Sequence, residues 1–227
     1  MRVLILAAGK GTRFGEITQK TPKTLIKVAG KPIIEYTLES LPPQTKEIIL
    51  AIGHLGSQIK NYVGHNYKGI PVRYARVQEL TGTATSVFKV KRFLKNGKFL
   101  VLYADDIYSK KELTKLAKFS WAFGLAKVLP PSPKYLNFVL DSKSYIIQAL
   151  HPTEKQMKTG ILVSTGAYIM DSRIFKYKPV QLSNGEYGLP QTILKAAKDI
   201  PLKGVLIKRW FQINSPEDIK KAEKQLQ

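Results

Sequence analysis

The residues with the clearest capacity for chemistry lie between positions 6 and 25, where the chain reads LAAGKGTRFGEITQKTPKTL. Gly9 and Gly11 would let backbone N–H groups approach an anion closely, and Arg13 and Lys23 would add positive charge beside it. The segment is not a Walker A loop, because no Gly-Lys-Ser/Thr follows, and its glycines lack the Gly-x-Gly-x-x-Gly spacing. The residue types predict a phosphate-binding loop, while the spacing alone leaves a glycine-rich surface turn as the alternative.

Strand and helix patterns alternate around this loop. The apolar run directly before it is typical of a strand buried on both faces of a parallel sheet, and a loop that leaves the carboxyl end of such a strand lies where open sheets bind ligands. Further strand patterns are EIILAIG, VRYARV and FLVLYADD, and helical patterns fall at 31–41, 55–64 and 82–95. Ser109 and Glu112 predict a capping box that starts another helix. The alternation predicts an α/β fold with a mainly parallel sheet.

The second half of the chain has a different character. The strand patterns FGLAKVL, ILVSTGAYIM and GVLIKRWFQI accompany a predicted hairpin, NFVLDSKSYIIQAL, that turns at 141–144. A short helix is expected at 191–198, and Ser215 is expected to cap a last helix. These patterns indicate an α+β arrangement.

Length and composition favour a single domain. A chain of 227 residues, of which 44 % are hydrophobic, can bury one full core. We predict one domain over 1–227, with a nucleotide-binding half at 1–120 and a smaller half at 121–227 for a second substrate. No apolar run reaches the ~18 residues of a membrane span, and the first apolar stretch is too short for a signal peptide. We therefore expect a cytoplasmic protein with no membrane partner.

The chain carries a large excess of positive charge. It has 37 Lys and Arg residues against 16 Asp and Glu, a net charge of +21, which attracts anions such as nucleic acid or phosphorylated metabolites. The lysines are scattered, so charge alone does not decide between these partners and a solvated surface. The absence of cysteine excludes disulfides and thiolate metal sites, and His54, His65 and His151 show no metal-binding spacing.

The segment LILAAGKGTRFGEITQKTPKTLIKVAGKPIIEYTLESL carries a denser pattern. It resembles the signature of the sugar-1-phosphate nucleotidylyltransferases of the glucose-1-phosphate thymidylyltransferase or mannose-1-phosphate guanylyltransferase type. That signature runs Leu-Ala-Ala-Gly-x-Gly-Thr-Arg, then Thr-x-x-x-Pro-Lys, then Gly-x-Pro-(Ile/Leu)-(Ile/Leu)-x-Tyr. The resemblance is dense from residue 1 to about 107 and patchier afterwards. It implies the nucleotide-diphospho-sugar transferase fold, a Rossmann-like, mainly parallel sheet flanked by helices, with a smaller α+β sugar-binding portion.

The resemblance implies how the loop contacts a nucleotide. Ala8, Gly9 and Gly11 would line the nucleotide, Thr12 and Arg13 would hold the triphosphate, and Lys23 would contact the phosphates near the reacting centre. The segment VQELTGTA resembles the family's base-recognition segment, in which Gln78 and the backbone at Gly82 read the base edge and Thr83 follows in the same turn. An amide side chain and free backbone groups offer the paired donor and acceptor that a base edge needs.

The run FLVLYADD resembles the family strand that ends in Gly-Asp, with Ala104 in place of the glycine and Asp105 in place of the metal-binding aspartate. A carboxylate at the carboxyl end of a buried strand is well placed to hold Mg²⁺, which prefers oxygen ligands and shares its shell with phosphates. Asp106 is expected to face elsewhere or to cap the following turn. The family's second metal aspartate, in Trp-x-Asp-(Ile/Val)-Gly-Thr-Pro-Glu-Asp, is replaced by Gln212 in WFQINSPED, a weaker ligand for a hard dication.

Three weaker matches imply a sugar-phosphate site. In PTEKQ, Glu154 and Lys155 resemble the Glu-Lys-Pro motif that contacts the sugar and its phosphate, with Gln156 replacing the proline. Gly166 in VSTGAYIM matches the glycine of the Asn-x-Gly-x-Tyr segment, and Glu186 in NGEYGLPQTI matches a glutamate that reaches sugar hydroxyls. The segment after position 133 lacks the glycine usual there. Each of these residues, taken alone, also fits a structural role.

The activity implied by the resemblance is attack by a sugar-1-phosphate oxygen on the α-phosphorus of a nucleoside triphosphate, which gives a nucleotide sugar and pyrophosphate. Catalysis would consist mostly of positioning and charge neutralisation. Mg²⁺ on Asp105, Arg13 on the leaving pyrophosphate, Lys23 near the reacting phosphates and Lys155 on the sugar phosphate would supply it.

Three other functions stay open on the sequence. A cytidylyltransferase for a phosphorylated alcohol or acidic sugar would share this fold. A nucleotide-binding protein without turnover is suggested by Gln212. An RNA-binding module is suggested by the charge and by Tyr62, Tyr67 and Tyr74 among basic neighbours, but no RNA-binding motif accompanies them, so we do not expect a nucleic acid partner. Whether the protein is a homo-oligomer is left open, and the length predicts no left-handed β-helix acyltransferase domain.

Overall fold

The computed structural model describes residues 1–78, 81–129 and 135–226. The strands are β1 Arg2–Ala7, β2 Lys27–Val28, β3 Lys31–Pro32, β4 Glu47–Ile52, β5 Asn66–Tyr67, β6 Ile70–Arg76, β7 Phe99–Tyr103, β8 Asp106–Tyr108, β9 Ala122–Val128, β10 Asn137–Leu140, β11 Ile146–Leu150, β12 Ile161–Met170, β13 Val180–Gln181, β14 Tyr187–Gly188, β15 Lys203–Leu206 and β16 Trp210–Gln212. The helices are α1 Ile17–Lys20, α2 Ile33–Glu39, α3 Gly56–Val63, α4 Thr83–Lys89, α5 Lys110–Leu116, α6 Glu154–Thr159, α7 Leu189–Ala196 and α8 Pro216–Leu226.

Short 3₁₀ turns lie at Thr12–Phe14, Lys23–Leu25, Lys91–Phe93 and Ser172–Lys176. Residues 79 and 80 of VQELTGTA, and residue 134 in the segment after position 133, fall outside the described ranges. Within those ranges, no helix is long and apolar enough to cross a bilayer.

An eight-stranded sheet forms the centre of the molecule, in the order β15-β9-β12-β7-β1-β4-β6-β5. β1 is parallel to both β4 and β7, and β4 is parallel to β6. β12 is antiparallel to β7 and β9, whereas β15 is parallel to β9. Apolar clusters cover both faces of the sheet, which explains why the strand at 2–7 reads as a continuous apolar run. The predicted α/β fold with a mainly parallel sheet is confirmed.

The position of β1 decides where a ligand can bind. The chain leaves β1 toward β4 on one side and returns to β7 on the other side, so the strand order reverses between β1 and β7. Leu6 is paired with Tyr103, and the Ala104 N–H donates to the Leu6 carbonyl at 3.2 Å. The loops that follow these two strands therefore start side by side, in the crevice where open α/β sheets bind their ligands.

Three local predictions need correction. The strand pattern at 204–213 is divided into β15 and β16, because β16 leaves the main sheet and pairs with β8. The capping box of Ser109 and Glu112 does not form, since the Glu112 carboxylate instead accepts the backbone N–H groups of Lys208 and Arg209. The helix predicted at 82–95 ends with α4, and a 3₁₀ turn follows it.

Other local predictions hold. β10 and β11 form the predicted antiparallel hairpin. The helix predicted at 31–41 is the shorter α2, because Lys31 and Pro32 pair with β2. In α8, Ala222 is buried, and Ile219 and Leu226 pack against the same apolar cluster.

Candidate active site

A cleft of about 620 Å³ opens at the carboxyl ends of β1 and β7. The predicted site residues that line it are Ala8, Gly9, Gly11, Thr12, Arg13, Lys23, Gly82, Thr83, Asp105, Glu186 and Gln212. Four predicted residues are not among its lining residues: Gln78, Glu154, Lys155 and Gly166. The structure thus brings the N-terminal motif, the strand-end aspartate and part of the second half together around one cavity.

The glycine-rich loop is held in shape by packing and by side-chain hydrogen bonds. Gly11 has a φ of 67°, and a Cβ atom there would lie 2.9 Å from the Lys23 Cβ and 3.0 Å from a Thr18 methyl. The Thr18 hydroxyl lies 3.1 Å from the Gly11 carbonyl and 3.1 Å from the Gly15 carbonyl. Glycine is required at position 11 because the backbone is left-handed and its neighbours pack directly against it.

Lys23 and Asp105 form an ion pair in the floor of the cleft, with 2.5 Å between Nζ and Oδ2. The Lys23 side chain is 11 % exposed and that of Asp105 is 33 % exposed. The predicted phosphate-binding lysine and the predicted metal-binding carboxylate are therefore in direct contact. Arg13, which also lines the cleft, is exposed and has no ion-pair partner among the residues that the structure describes.

Asp106 faces the interior, in agreement with the prediction that it would not share the role of Asp105. It is 1 % exposed, its Oδ2 accepts from the Tyr108 hydroxyl at 3.3 Å, and its Oδ1 is buried without a hydrogen bond. Burial, followed by the charge of Asp105, raises the pKa of the Asp106 carboxyl well above its ordinary value. Asp106 is thereby favoured in its protonated form, and Asp105 is the carboxylate that the cleft presents. The Ala104 methyl group is buried in the core beside them.

Gln212 lies beside Asp105 and Asp106. β16 is antiparallel to β8, and this pairing places Gln212 opposite Asp106. The Tyr135 hydroxyl donates to Gln212 Oε1 at 2.6 Å. Sequence reasoning missed Tyr135, since it lies 77 positions from its partner and carries no motif. The glutamine oxygen is thus already engaged by a protein donor.

The oxygen donors of the cleft fit Mg²⁺ better than a softer metal. Within the described part of the chain, no three His, Cys, Asp or Glu side chains cluster to form an all-protein metal site. The cleft offers the partly exposed carboxylate of Asp105 and the amide oxygen of Gln212. Mg²⁺ typically binds to one or two carboxylates and completes its shell with water and substrate phosphates, so this small set of hard donors is compatible with it.

The two halves of the chain meet at the predicted base-recognition segment. Gly82 has a φ of 114°, and a Cβ there would lie 2.4 Å from the carbonyl oxygen of Tyr187. The Tyr187 N–H donates to the Thr81 carbonyl at 2.7 Å, and the Leu189 N–H donates to the Thr83 hydroxyl at 3.0 Å. Thr83 therefore has a structural hydrogen bond in addition to its place in the cleft wall.

The predicted sugar-site residues fall into two groups. Glu186 lines the cleft, whereas Glu154 and Lys155 are exposed at the start of α6. Gln156, which replaces the proline of the family motif, completes a capping box with Thr153 and so starts that helix.

Gly166 lies behind the cleft wall and supports it. Its φ is 73°, and a Cβ there would lie 2.6 Å from the ring of Tyr103, which lines the cleft. Tyr103 and Tyr187 were not predicted from the sequence, because their contribution depends on strand pairing across the two halves. The aromatic character of the cleft wall is therefore a finding of the structure.

Proteins of known families resemble this chain in sequence and in fold. Residues 2–211 match the nucleotidyl transferase family. The bifunctional protein GlmU of Methanococcus maripaludis is 32 % identical over 98 % of this chain and 53 % of its own length, so the chain spans about half of that relative. The UTP–glucose-1-phosphate uridylyltransferase AglF of Haloferax volcanii is 28 % identical over 100 % of this chain and 97 % of its own. The solved inositol-1-phosphate CTP transferase of T. maritima has the same fold, with a TM-score of 0.79, 19 % identity and coverage of 98 % and 93 % of the two chains.

Proposed function

This chain belongs to the nucleotidyl transferase family, and from that premise we propose that it transfers a nucleotidyl group from a nucleoside triphosphate to a sugar 1-phosphate. The observation that carries the proposal is the cleft at the switch point, where the glycine-rich loop, Lys23 and Asp105 meet. AglF, a relative that matches along nearly its whole length, is named as a uridylyltransferase for glucose 1-phosphate. The substrate class is extended from such relatives to this chain.

The reaction joins two polyanions in one displacement. An oxygen of the sugar phosphate attacks the α-phosphorus of the triphosphate, and the bond from that phosphorus to the bridging oxygen of the β-phosphate breaks. Pyrophosphate leaves with the bonding electrons, and no covalent enzyme intermediate is needed. Because both substrates are anionic, the protein must mainly orient them and neutralise their charge.

Cations and backbone groups of the glycine-rich loop are proposed to bind the triphosphate. Backbone N–H groups at Gly9 and Gly11 approach the phosphates, Arg13 neutralises the leaving pyrophosphate, and Lys23 contacts the phosphates near the reacting phosphorus. Arg13 is exposed and has no acidic partner within the described ranges. Its positive charge is therefore available to bind a phosphate, which supports this role. Lys23 would exchange part of its contact with Asp105 for a phosphate oxygen.

Asp105 is proposed as the main ligand of Mg²⁺, with Gln212 as a second, weaker oxygen donor. The bound cation would neutralise charge on the triphosphate and on the pyrophosphate that leaves. Glu186, which also lines the cleft, is proposed to contact sugar hydroxyls. Gln78 and the Gly82 backbone remain the proposed readers of the base, and Glu154 and Lys155 the proposed contacts of the sugar phosphate.

A substrate screen tests this function. Pyrophosphate release is measured with Mg²⁺, each of five nucleoside triphosphates and a panel of sugar 1-phosphates, beside Asp105→Asn. The matched control is Asp199→Asn, an exposed aspartate outside the cleft. We expect release with a specific pair of substrates, lost in Asp105→Asn and kept in the control. Release only with CTP and a phosphorylated alcohol would favour the cytidylyltransferase, and triphosphate binding without release would favour a non-catalytic protein.

A further inference from the structure

A second concavity, of about 200 Å³, lies at the opposite edge of the central sheet. Arg2 and Glu47 are the first residues of β1 and β4, so they mark the amino ends of these strands, whereas the cleft lies at the carboxyl end of β1. We call this concavity the arginine pocket. It is lined by Arg2, Glu47, Arg73, Arg92, Phe93, Lys95 and Asn96.

The arginine pocket has four cationic side chains and one carboxylate. The two Glu47 oxygens each accept one hydrogen bond, from Arg2 Nε at 2.9 Å and from Arg73 Nε at 2.8 Å. Burial raises the pKa of Glu47, but the two arginine hydrogen bonds outweigh it and hold the pKa below its ordinary value. Glu47 is therefore ionised at neutral pH, and three of the four positive charges stay uncompensated.

Arg92 is held by packing against an aromatic ring rather than by an ion pair with a described residue. Arg92 and Lys95 form no ion pair anywhere in the parts of the chain that the structure describes. The Phe93 ring lies 4.6 Å from the Arg92 guanidinium carbon and 5.5 Å from that of Arg73, so one ring orients two guanidinium groups. Arg73 contacts Glu47 through Nε, and Arg92 stacks on the Phe93 ring, so the terminal N–H groups of both arginines stay available. These groups form the planar fork that matches the oxygens of a phosphate.

We propose that the arginine pocket is a second binding site, for a small phosphoryl anion such as inorganic phosphate or pyrophosphate. Like charges held together in one concavity repel one another, and a multivalent anion relieves that repulsion while it accepts several charge-assisted hydrogen bonds. The pocket has about a third of the volume of the cleft, which suits a phosphate or pyrophosphate better than a complete nucleotide sugar. The inference does not depend on the reaction proposed for the cleft.

Calorimetric titration with pyrophosphate tests the proposal, because the catalytic cleft and the arginine pocket should then appear as two classes of site. Arg92→Ala/Lys95→Ala removes two exposed cations from the pocket. Lys110→Ala/Lys111→Ala removes two exposed cations from the start of α5 and is the charge-matched control. Arg13→Ala alters the cleft alone. Circular dichroism checks that each variant is folded.

We expect two classes of site in the wild type. Arg92→Ala/Lys95→Ala should weaken one class at least about tenfold, as expected when two charge-assisted contacts are removed, and Arg13→Ala should weaken the other. The lysine control should keep both. Inorganic phosphate in place of pyrophosphate then shows whether one phosphoryl group is sufficient. Unchanged pyrophosphate binding in Arg92→Ala/Lys95→Ala would overturn the proposal, whereas a single class of site that this variant weakens would support the arginine pocket and count against the cleft alone. Loss of single-stranded RNA binding in that variant, with pyrophosphate binding unchanged, would replace it by a nucleic-acid surface.

Discussion

The contact between Lys23 and Asp105 is the feature of single residues on which the proposed chemistry depends. Their motifs are separated by 82 positions, yet both follow strands that are neighbours in the sheet. That both residues lie at one site could be predicted from the family resemblance. The engagement of Gln212 by Tyr135 could not, since no local pattern connects a residue after β9 with the end of β16.

Gly82 provides a prediction at this scale. In Gly82→Ala, the new methyl group would lie 2.4 Å from the Tyr187 carbonyl oxygen on a backbone with a φ of 114°. We expect a loss of about 3 kcal/mol in the free energy of unfolding, of which ~1 is backbone strain and ~2 the forced contact. Urea denaturation measures it.

Gly97→Ala is the matched control for that substitution. Gly97 also has a positive φ, of 75°, but a Cβ there would meet nothing within 4 Å. We expect only the backbone cost, about 1 kcal/mol. Equal losses in the two variants would mean that the close approach of Tyr187 to Gly82 contributes nothing to stability.

At the scale of elements, the glycine-rich loop is braced from outside the cleft. Thr18 contacts the Gly11 and Gly15 carbonyls, and the His54 ring nitrogen Nε2 lies 3.0 Å from the Thr18 carbonyl. The motif residues could be identified from the sequence, but this support could not, because His54 lies in the loop after another strand. The brace explains how a loop with several glycines can be kept in one conformation.

Thr18→Val tests that brace. Valine keeps the shape of threonine and removes its hydroxyl. We expect the KM for the nucleoside triphosphate to rise about fivefold, the equivalent of one neutral hydrogen bond, with little change in kcat. Thr114→Val is the control, since the Thr114 hydroxyl bonds to the Lys110 carbonyl on the exposed surface of α5. An unchanged KM in Thr18→Val would show that the loop keeps its conformation without the hydroxyl.

The 3₁₀ turn at Ser172–Lys176 provides a pH-dependent prediction. Its capping residue, Asp171, accepts hydrogen bonds from Arg173 and from the Trp121 indole at 3.0 Å. Burial raises the pKa of Asp171, but these hydrogen bonds outweigh it and lower the pKa below its ordinary value. The carboxylate therefore stabilises the fold above the unfolded pKa of ~3.9, and this contribution is lost as the pH falls through the lower folded value.

Asp171→Asn should therefore lower the free energy of unfolding by about 1 to 2 kcal/mol at pH 7. The difference in this free energy between the variant and the wild type should shrink below about pH 4. Urea denaturation between pH 3 and pH 7 measures this, with Glu154→Gln, at an exposed carboxylate at the start of α6, as the control for a general change of charge. A difference that stays constant across this range would show that the Asp171 charge does not contribute.

At the scale of the whole molecule, the two predicted halves share one sheet. β7 of the first half pairs with β12 of the second, and a main-chain hydrogen bond joins Tyr187 to Thr81. The sequence predicted most strands of the first half, where apolar runs are continuous. Prediction from the sequence was less successful in the second half. There, strands such as β16 leave the central sheet, and their position is set by pairing with residues far away in the sequence.

One cooperative unfolding transition is expected from this continuity. Both tryptophans, Trp121 and Trp210, lie in the second half of the sequence. Trp210 also pairs with Tyr108 of the first half, so the fluorescence reports on the second half and on its contact with the first. Ile34 is a fully buried residue of the first half. Ile34→Ala should lower the free energy of unfolding by about 2 to 5 kcal/mol. The urea midpoint should fall equally by fluorescence and by far-UV circular dichroism. A fluorescence midpoint that Ile34→Ala leaves unchanged would mean that the halves unfold independently.

The central claim is that the cleft catalyses direct nucleotidyl transfer through Asp105. The most direct measurement is ³¹P NMR of the purified protein with Mg²⁺, a nucleoside triphosphate and a sugar 1-phosphate. We predict that a nucleotide sugar and pyrophosphate appear in equal amounts, and that Asp105→Asn forms at least about a hundredfold less of both. Triphosphate that stays intact in the wild type, or equal product formation in Asp105→Asn, would contradict the account.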